Sequence, residues 1–256
     1  QSTLYNHPGY SGPVAWFDFE RRLCGVLLMQ SNTTGRGRYH QRVINRIHEF
    51  IPAQAPVRQT KVALIGDSIR LSYAPIVVRE LRGQAVVISP KANGGDSANV
   101  RKNLEGWVIR ERPDVVHFNC GIHDTKRFRA TGKFQVSPEQ YEANLREIVE
   151  RIRARTKATV LFGTTTPILD DRAAAKRQGR DYELTGGAVE QYNRIAVRVM
   201  RELRVPIDDL HATIAQPPAP HKTGSLIGAD GVHLTPAAQD LLGRQVAALI
   251  GRHLKK

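Results

Sequence analysis

The stretch KVALIGDSIR, Lys61 to Arg70, decides how this chain is read. Val62, Ala63, Leu64 and Ile65 make a short continuous apolar run, the pattern of a strand covered on both faces. Gly66-Asp67-Ser68 interrupts the run, and a helical pattern opens at Ile69. A serine in that place sits at the carboxyl end of a buried parallel strand and in the first turn of a helix. Open α/β sheets bind ligands at that edge, where the strand order reverses. The helix start also offers unpaired N–H groups to a developing negative charge.

The same alternation continues outward. Strands are expected at 61–66, at 85–89 (AVVIS), at 114–119 (DVVHFN), at 159–163 (TVLFG) and at 205–208. Helices are expected at 69–82, 98–109, from Pro138 onward, across 186–203, and after Thr235-Pro236, where Thr caps and Pro takes the first helical position. Between them lie a long loop at 121–136, a polar segment at 168–185 and a Pro- and Gly-rich loop leading to Asp230. Strands alternating with helices predict an α/β fold: three layers, α/β/α, around a doubly wound parallel sheet of about five strands.

Residues 1–60 have a different texture and are expected to form an N-terminal extension, packed on the core or acting as a lid, ahead of a main domain over 61–256. Gln1 to Pro13 reads as an extended arm. Val14 to Gln30 is apolar enough for a strand pair or for a strand and a helix, and its periodicity favours neither. Asn32-Thr33-Thr34 matches a glycosylation acceptor pattern, Gly35 to Arg38 reads as a turn, a helix is expected at about Tyr39 to Ile51, and Pro52 to Pro56 reads as a linker. The start at Gln1 reads as an end left by processing or trimming.

The 256 residues are 41% hydrophobic, enough for one substantial core, and no run of about 18 apolar residues is long enough to span a membrane. Two cysteines, Cys24 and Cys120, are too few for a disulfide framework and lack metal-site spacing. The formal charge of +14, from 38 basic and 24 acidic residues, favours acidic partners in general. The basic residues are spread over amphipathic helices. In Arg146 to Lys157, for example, Ile148, Val149 and Ile152 form the apolar stripe and the arginines fall on the solvated face. A generally basic surface therefore accounts for the charge, and no nucleic-acid partner is expected.

The loops that follow the strands share one edge of such a sheet. They carry Gly66-Asp67-Ser68, Asn93-Gly94-Gly95-Asp96 and Asn119-Cys120-Gly121-Ile122-His123-Asp124; the loop before the last helix adds Asp230-Gly231-Val232-His233. A serine hydroxyl is a poor nucleophile near neutral pH and needs a base within hydrogen-bond reach, which His233 can supply. The imidazole must be held in one tautomer and its positive form needs a counter-charge, which Asp230 can supply from one turn away. The oxyanion formed by attack on an ester carbonyl needs donors; the N–H groups of Ser68 and Gly95 and the His123 side chain are candidates.

These four blocks, in this order, resemble those of the SGNH (GDSL-type) hydrolase superfamily over roughly residues 61–254. The resemblance implies a flavodoxin-like sheet, Ser68 as nucleophile and first oxyanion donor, Gly95 as second donor, and Asp230 with His233 completing a triad. It implies an esterase, lipase, thioesterase or carbohydrate deacetylase working without metal or organic cofactor. The third block departs from the usual Gly-x-Asn-Asp by reading Gly121-Ile122-His123-Asp124, which is similar to a bacterial subgroup associated with carbohydrate esterases. His123 is then either the third oxyanion donor or a pocket wall. The expected reaction is hydrolysis of a small acyl ester, acetyl first, on a carbohydrate or other small molecule. Its rivals are acyl transfer to a sugar hydroxyl by the same triad, and non-catalytic binding of a polyanion.

Plainer roles compete at several of these positions. Ser68 could be only a helix cap, Asp67 only a loop anchor, and His117 a core residue. Cys120 has no base of its own and reads as a buried thiol.

Overall fold

The structure, a computed structural model, describes residues 5–8, 14–18, 23–28, 36–50 and 59–254. Alternation of side chains shapes the first of its two units, Gln1–Arg58. Tyr5–Pro8 (β1), Val14–Asp18 (β2) and Leu23–Leu27 (β3) pair antiparallel in the order β1-β2-β3. Along β3, half-buried and exposed residues alternate. Trp16 on β2 is buried opposite Gly25, where an added Cβ would lie 2.3 Å from the indole ring, so that position has room only for glycine. The described residues of the ambiguous 14–30 stretch thus form a strand pair, and the expected arm supplies a third strand. Helix Arg36–Phe50 (α1) begins three residues before the predicted start and absorbs Gly37. The Asn32–Thr34 acceptor pattern and the Pro52–Pro56 linker lie outside the described residues.

The second unit, Gln59–Lys256, follows the predicted alternation. Its strands are Thr60–Ile65 (β4), Ala85–Ile88 (β5), Val115–Phe118 (β6), Thr159–Gly163 (β8) and Ile207–Asp208 (β10). They form one parallel sheet in the order β10-β8-β6-β4-β5. Chain order reverses between β4 and β6, so the crevice for a ligand lies beyond the carboxyl ends of those two strands.

Both faces of the sheet are covered. Val62, Leu64, Val115 and Leu161 pack on the side of Ser68–Glu80 (α2) and Pro236–His253 (α9). Ala63, Ile65, Val116, Phe118, Val160 and Phe162 pack on Ser97–Leu104 (α3), Pro138–Arg155 (α4) and Gly186–Glu202 (α6). The strand residues alternate between the two clusters one by one, which is why the strands read as unbroken apolar runs. Helix α3 does not continue regularly to 109 as expected. It opens into one π turn, Glu105–Ile109, with Arg110 N–H donating to Glu105 O at 3.0 Å. The wider turn brings both Val108 and Ile109 into the core beside Leu104.

Three expected loops contain short elements. Arg127–Phe128 (β7) in the 121–136 loop pairs antiparallel with Tyr182–Glu183 (β9), and Asp170–Lys176 (α5) also lies in the 168–185 segment. Leu210–Ala215 (α7) and Thr223–Leu226 (α8) occupy the loop before Asp230. A buried polar cluster ties the β6 loop to α3 and α4. Asp124 accepts from Ser97 N–H at 3.0 Å and from Ser97 Oγ at 2.5 Å, and Asn144 Nδ2 donates to Ser97 Oγ at 2.9 Å. Burial pushes the Asp124 carboxyl up to about 7, against the pull of the Ser97 hydrogen bonds.

Two expectations follow. An added methyl at Gly243 of α9 would sit 2.5 Å from Ile76 Cβ on α2. Gly243→Ala should therefore lower stability by about 1–3 kcal/mol despite the better helix propensity of alanine; a denaturation midpoint at or above wild type would contradict this helix contact. The native state also holds the Asp124 proton to higher pH than the unfolded chain does, whose carboxyl titrates near 3.9. Its stabilising contribution is complete below about pH 4 and is lost as pH rises through about 7. Midpoints from pH 4 to 8 should fall more steeply for wild type than for Asp124→Asn, and parallel curves would refute this.

Candidate active site

The turn from β4 into α2 is built for close approach. A Cβ at Gly66 would lie 2.0 Å from Asn119 Oδ1, at the end of β6. Asp67, fully buried, is the N-cap of α2: its Oδ1 accepts from Ile69 N–H at 2.9 Å. Burial lifts its carboxyl above the ordinary range while His123, Ile69, Asn119 and Arg70 act the other way. The cap is therefore Asp67, and Ser68 is left half-buried at the first helical position. Its Oγ lies 2.9 Å from His233 Nε2.

His233 reaches that point from the loop before α9. Asp230 binds it twice, through Oδ2 to the ring Nδ1 and through Oδ1 to the backbone N–H at 2.9 Å; Val232 N–H also donates to Oδ1, at 3.0 Å. Burial works to raise the Asp230 carboxyl, but the His233 and Val232 hydrogen bonds outweigh it and hold the group at about 2. With Nδ1 engaged by a carboxylate, Nε2 is the nitrogen presented to Ser68.

The segment read as a polar stretch buttresses this loop. Gly231 has φ +74°, and a Cβ there would meet Ala173 N at 2.4 Å. Leu169 N–H donates to Gly231 O at 2.9 Å, Arg177 Nη1 to Asp230 O at 3.0 Å, and Arg172 Nη1 to Ile227 O at 2.7 Å. Arg172 and Arg177 carry no motif signal, because arginines on a polar stretch look like a solvated surface.

Gly95 lies on the loop after β5. Gly94 N–H donates to Gly66 O at 2.9 Å, and a Cβ on Gly94 would meet that oxygen at 2.6 Å. Gly95 has φ +62°, and its N–H, the expected oxyanion donor, donates to Asn93 Oδ1 at 2.9 Å. Arg70 locks the two loops together. Its buried guanidinium donates to Gly66 O, Ala92 O, Pro90 O and Ser89 Oγ at 2.7–2.9 Å. Sequence reading passes over Arg70, since three of its four partners are backbone carbonyls, which have no sequence signature.

His123 is half-buried. Burial, above all, holds its imidazole below the ordinary range, with Asp67 opposing and Lys126 and His233 adding to the effect. The ring is therefore neutral near pH 7 and able to donate one N–H. Cys120 is fully buried and burial pushes its thiol well up, so it is a core residue. His117 is buried with Nε2 3.2 Å from Asp208 Oδ2. Among the described residues no group of three or more His, Cys, Asp or Glu side chains is placed to hold a metal ion.

Two clefts, of about 510 and 590 Å³, are lined by α6 with Asp209 and His211, and by α3 with α4; neither includes Ser68, Asp230 or His233. Those three instead share an open rim, where the His233 side chain is 52% exposed. The rim thus joins a hydroxyl, an imidazole and a carboxylate in series, the connectivity of a proton relay.

Similarity to solved structures supports the fold. A lipase/acylhydrolase from Enterococcus faecalis superposes with a TM-score of 0.62 at 21% identity, covering 77% of this chain and 97% of that one. An acetylxylan esterase from Geobacillus stearothermophilus gives 0.60 at 21% identity, covering 75% and 94%. A GDSL-like lipase from Bacteroides thetaiotaomicron gives 0.59 at 16% identity, covering 85% and 98%. No curated protein matches the chain. The sequence pattern of the GDSL-like lipase/acylhydrolase family matches residues 64–241, from β4 through the Ser68 turn and the Asp230–His233 loop into α9. The chain belongs to that family, within the SGNH hydrolases, and is a carboxylic ester hydrolase.

Proposed function

We propose that the chain is a serine esterase that removes small acyl groups, acetyl first, from a carbohydrate ester through an acyl-enzyme. The observation that carries this reading is the 2.9 Å contact between Ser68 Oγ and His233 Nε2, with Asp230 on the other ring nitrogen. The acetyl and carbohydrate assignments draw support from the Gly121-x-His123-Asp124 block and from acetylxylan esterases among the proteins of like fold.

In this reading His233 Nε2 takes the Ser68 proton as Oγ attacks the ester carbonyl carbon. The carbonyl oxygen becomes an oxyanion facing the Ser68 N–H, the His123 ring N–H, and the Gly95 N–H once it turns from Asn93 Oδ1. Asp230, ionised down to about pH 2, balances the imidazolium without taking its proton. The ester C–O bond breaks and the sugar oxygen leaves with the proton from His233. Water then gives its proton to His233 and attacks the acyl carbon, releasing a carboxylic acid and restoring Ser68. A sugar hydroxyl in place of that water would give transfer, which product analysis with a sugar acceptor present separates from hydrolysis.

Ser68→Ala should cut turnover of an aryl acetate by at least ~10³-fold without changing the circular dichroism spectrum; undiminished turnover would refute the nucleophile. Because Asp230 stays charged above about pH 2, Asp230→Asn removes the counter-charge of the imidazolium and should lower kcat/KM by roughly 10²- to 10⁴-fold; an Asp230→Asn variant as active as wild type would overturn the Asp230 assignment.

A further inference from the structure

The 168–185 segment touches both walls of the site. Its Leu169–Arg177 part holds the Asp230–His233 loop, and its β9 pairs with β7, directly after the His123 loop. At that second contact the Lys126 ammonium lies over the Tyr182 ring, 5.4 Å from its centroid. The backbone of Lys126 is fixed on both sides: its N–H donates to His123 O at 3.4 Å, and its carbonyl accepts from Gln135 N–H at 2.7 Å. The cation is thus carried on a rigid wall shared with His123.

The neighbouring cations are all committed. Arg127 and Arg129 face Glu183 at 3.6 and 3.3 Å, and Arg172 and Arg177 donate to backbone carbonyls. Lys126 alone of these five has no carboxylate and no side-chain hydrogen bond among the described residues. An ammonium has three donors, and a ring face satisfies it only in part, leaving N–H groups available to an anion. A half-buried cation without an acidic partner costs free energy, which a charged ligand would recover. Its field also reaches the active-site rim: Lys126 is one of the charges acting on His123, whose ring in turn feels His233. A single ammonium is a compact point charge without a guanidinium's fork, so one carboxylate oxygen suffices to meet it. The net charge of +14 draws acidic ligands toward the surface as a whole.

We propose that the Lys126 ammonium, held on the Tyr182 ring beside His123, docks a carboxylate borne by the sugar whose ester is cleaved, so that acylated uronates are preferred over neutral sugar esters. This specificity rests on the esterase reading of Ser68 and His233. It differs from that reading in predicting a charge preference that depends on one residue outside the triad.

The test compares two esters of one shape, acetylated methyl glucuronoside with a free carboxylate and the matching acetylated glucuronamide. Wild type should favour the carboxylate by about 5- to 10-fold in kcat/KM at low salt, mainly through KM, with the preference shrinking as salt is added. In Lys126→Met the ratio should fall to about one, and in Lys126→Arg it should stay well above one. Taking the ratio cancels whatever either substitution does to His123. A wild-type ratio near one, or a ratio unchanged in Lys126→Met, would overturn the proposal. A calorimetric arm with Ser68→Ala and no turnover separates the two readings. If wild type cleaves neither ester, the carbohydrate-acetylesterase reading fails. Methyl glucuronoside binding Ser68→Ala more tightly than its amide, with the difference lost when Lys126→Met is added, would still support the anion site. Equal binding of acid and amide would refute it.

Discussion

Two peptide units meet at Gly66 and Gly94 with no side chain between them, and the site depends on that meeting. The Gly94 N–H donates to Gly66 O, and a Cβ on either residue would collide, with the partner carbonyl in one case and with Asn119 in the other. This approach brings the loops after β4 and β5 together at the point where strand order reverses, and the end of β6 closes on them through Asn119. Arg70 then makes the arrangement stiff. Its guanidinium is buried among four neutral oxygens from both loops, and burial lowers its pKa, a sign of how far it has been taken from water. Those oxygens meet both terminal nitrogens and leave only Nε without a partner, so the loops cannot part without exposing an unpaired charge to the interior.

The second half of the site is held differently. The Asp230–His233 loop leads into α9, and its order comes from a segment inserted between β8 and α6. Gly231 packs against the backbone of α5, while Arg172 and Arg177 reach over to carbonyls on the α8–α9 side. Asp230 accepts from two backbone N–H groups as well as from the imidazole, so the carboxylate organises the turn that carries its own partner. The same inserted segment meets the β6 loop through β9. One short stretch of chain therefore sets the spacing of both walls, and through Tyr182 it seats the Lys126 ammonium as well.

Ser68, Asp230 and His233 were legible because each follows a recognisable punctuation: a strand end, a turn, a helix cap. Asp67 as a loop anchor and Cys120 as a buried thiol were legible too, from short-range hydrogen bonding and from apolar surroundings. Gly95 was legible as a position, and its N–H goes to Asn93 Oδ1 two residues away, a local Asx-type contact. Arg70 was invisible as a site residue, and Arg172 and Arg177 read only as part of the polar 168–185 segment. An arginine that binds carbonyls contributed by a distant loop has the same local pattern as one facing water. The short elements α5, β7 and β9 were read as loops because their residues are placed by partners far along the chain rather than by periodicity.

By itself the sequence determined the alternation of the five sheet strands with the main helices, the parallel sheet, and which loops would share an edge, because buried-strand runs and helix signals are written in neighbouring residues. Only the tertiary structure decided that the Ser68 hydroxyl and the His233 ring lie 2.9 Å apart and that α5 braces the Asp230 turn. Those contacts join residues that the chain keeps far apart, and such distances are settled by the packing of whole layers rather than by any local preference.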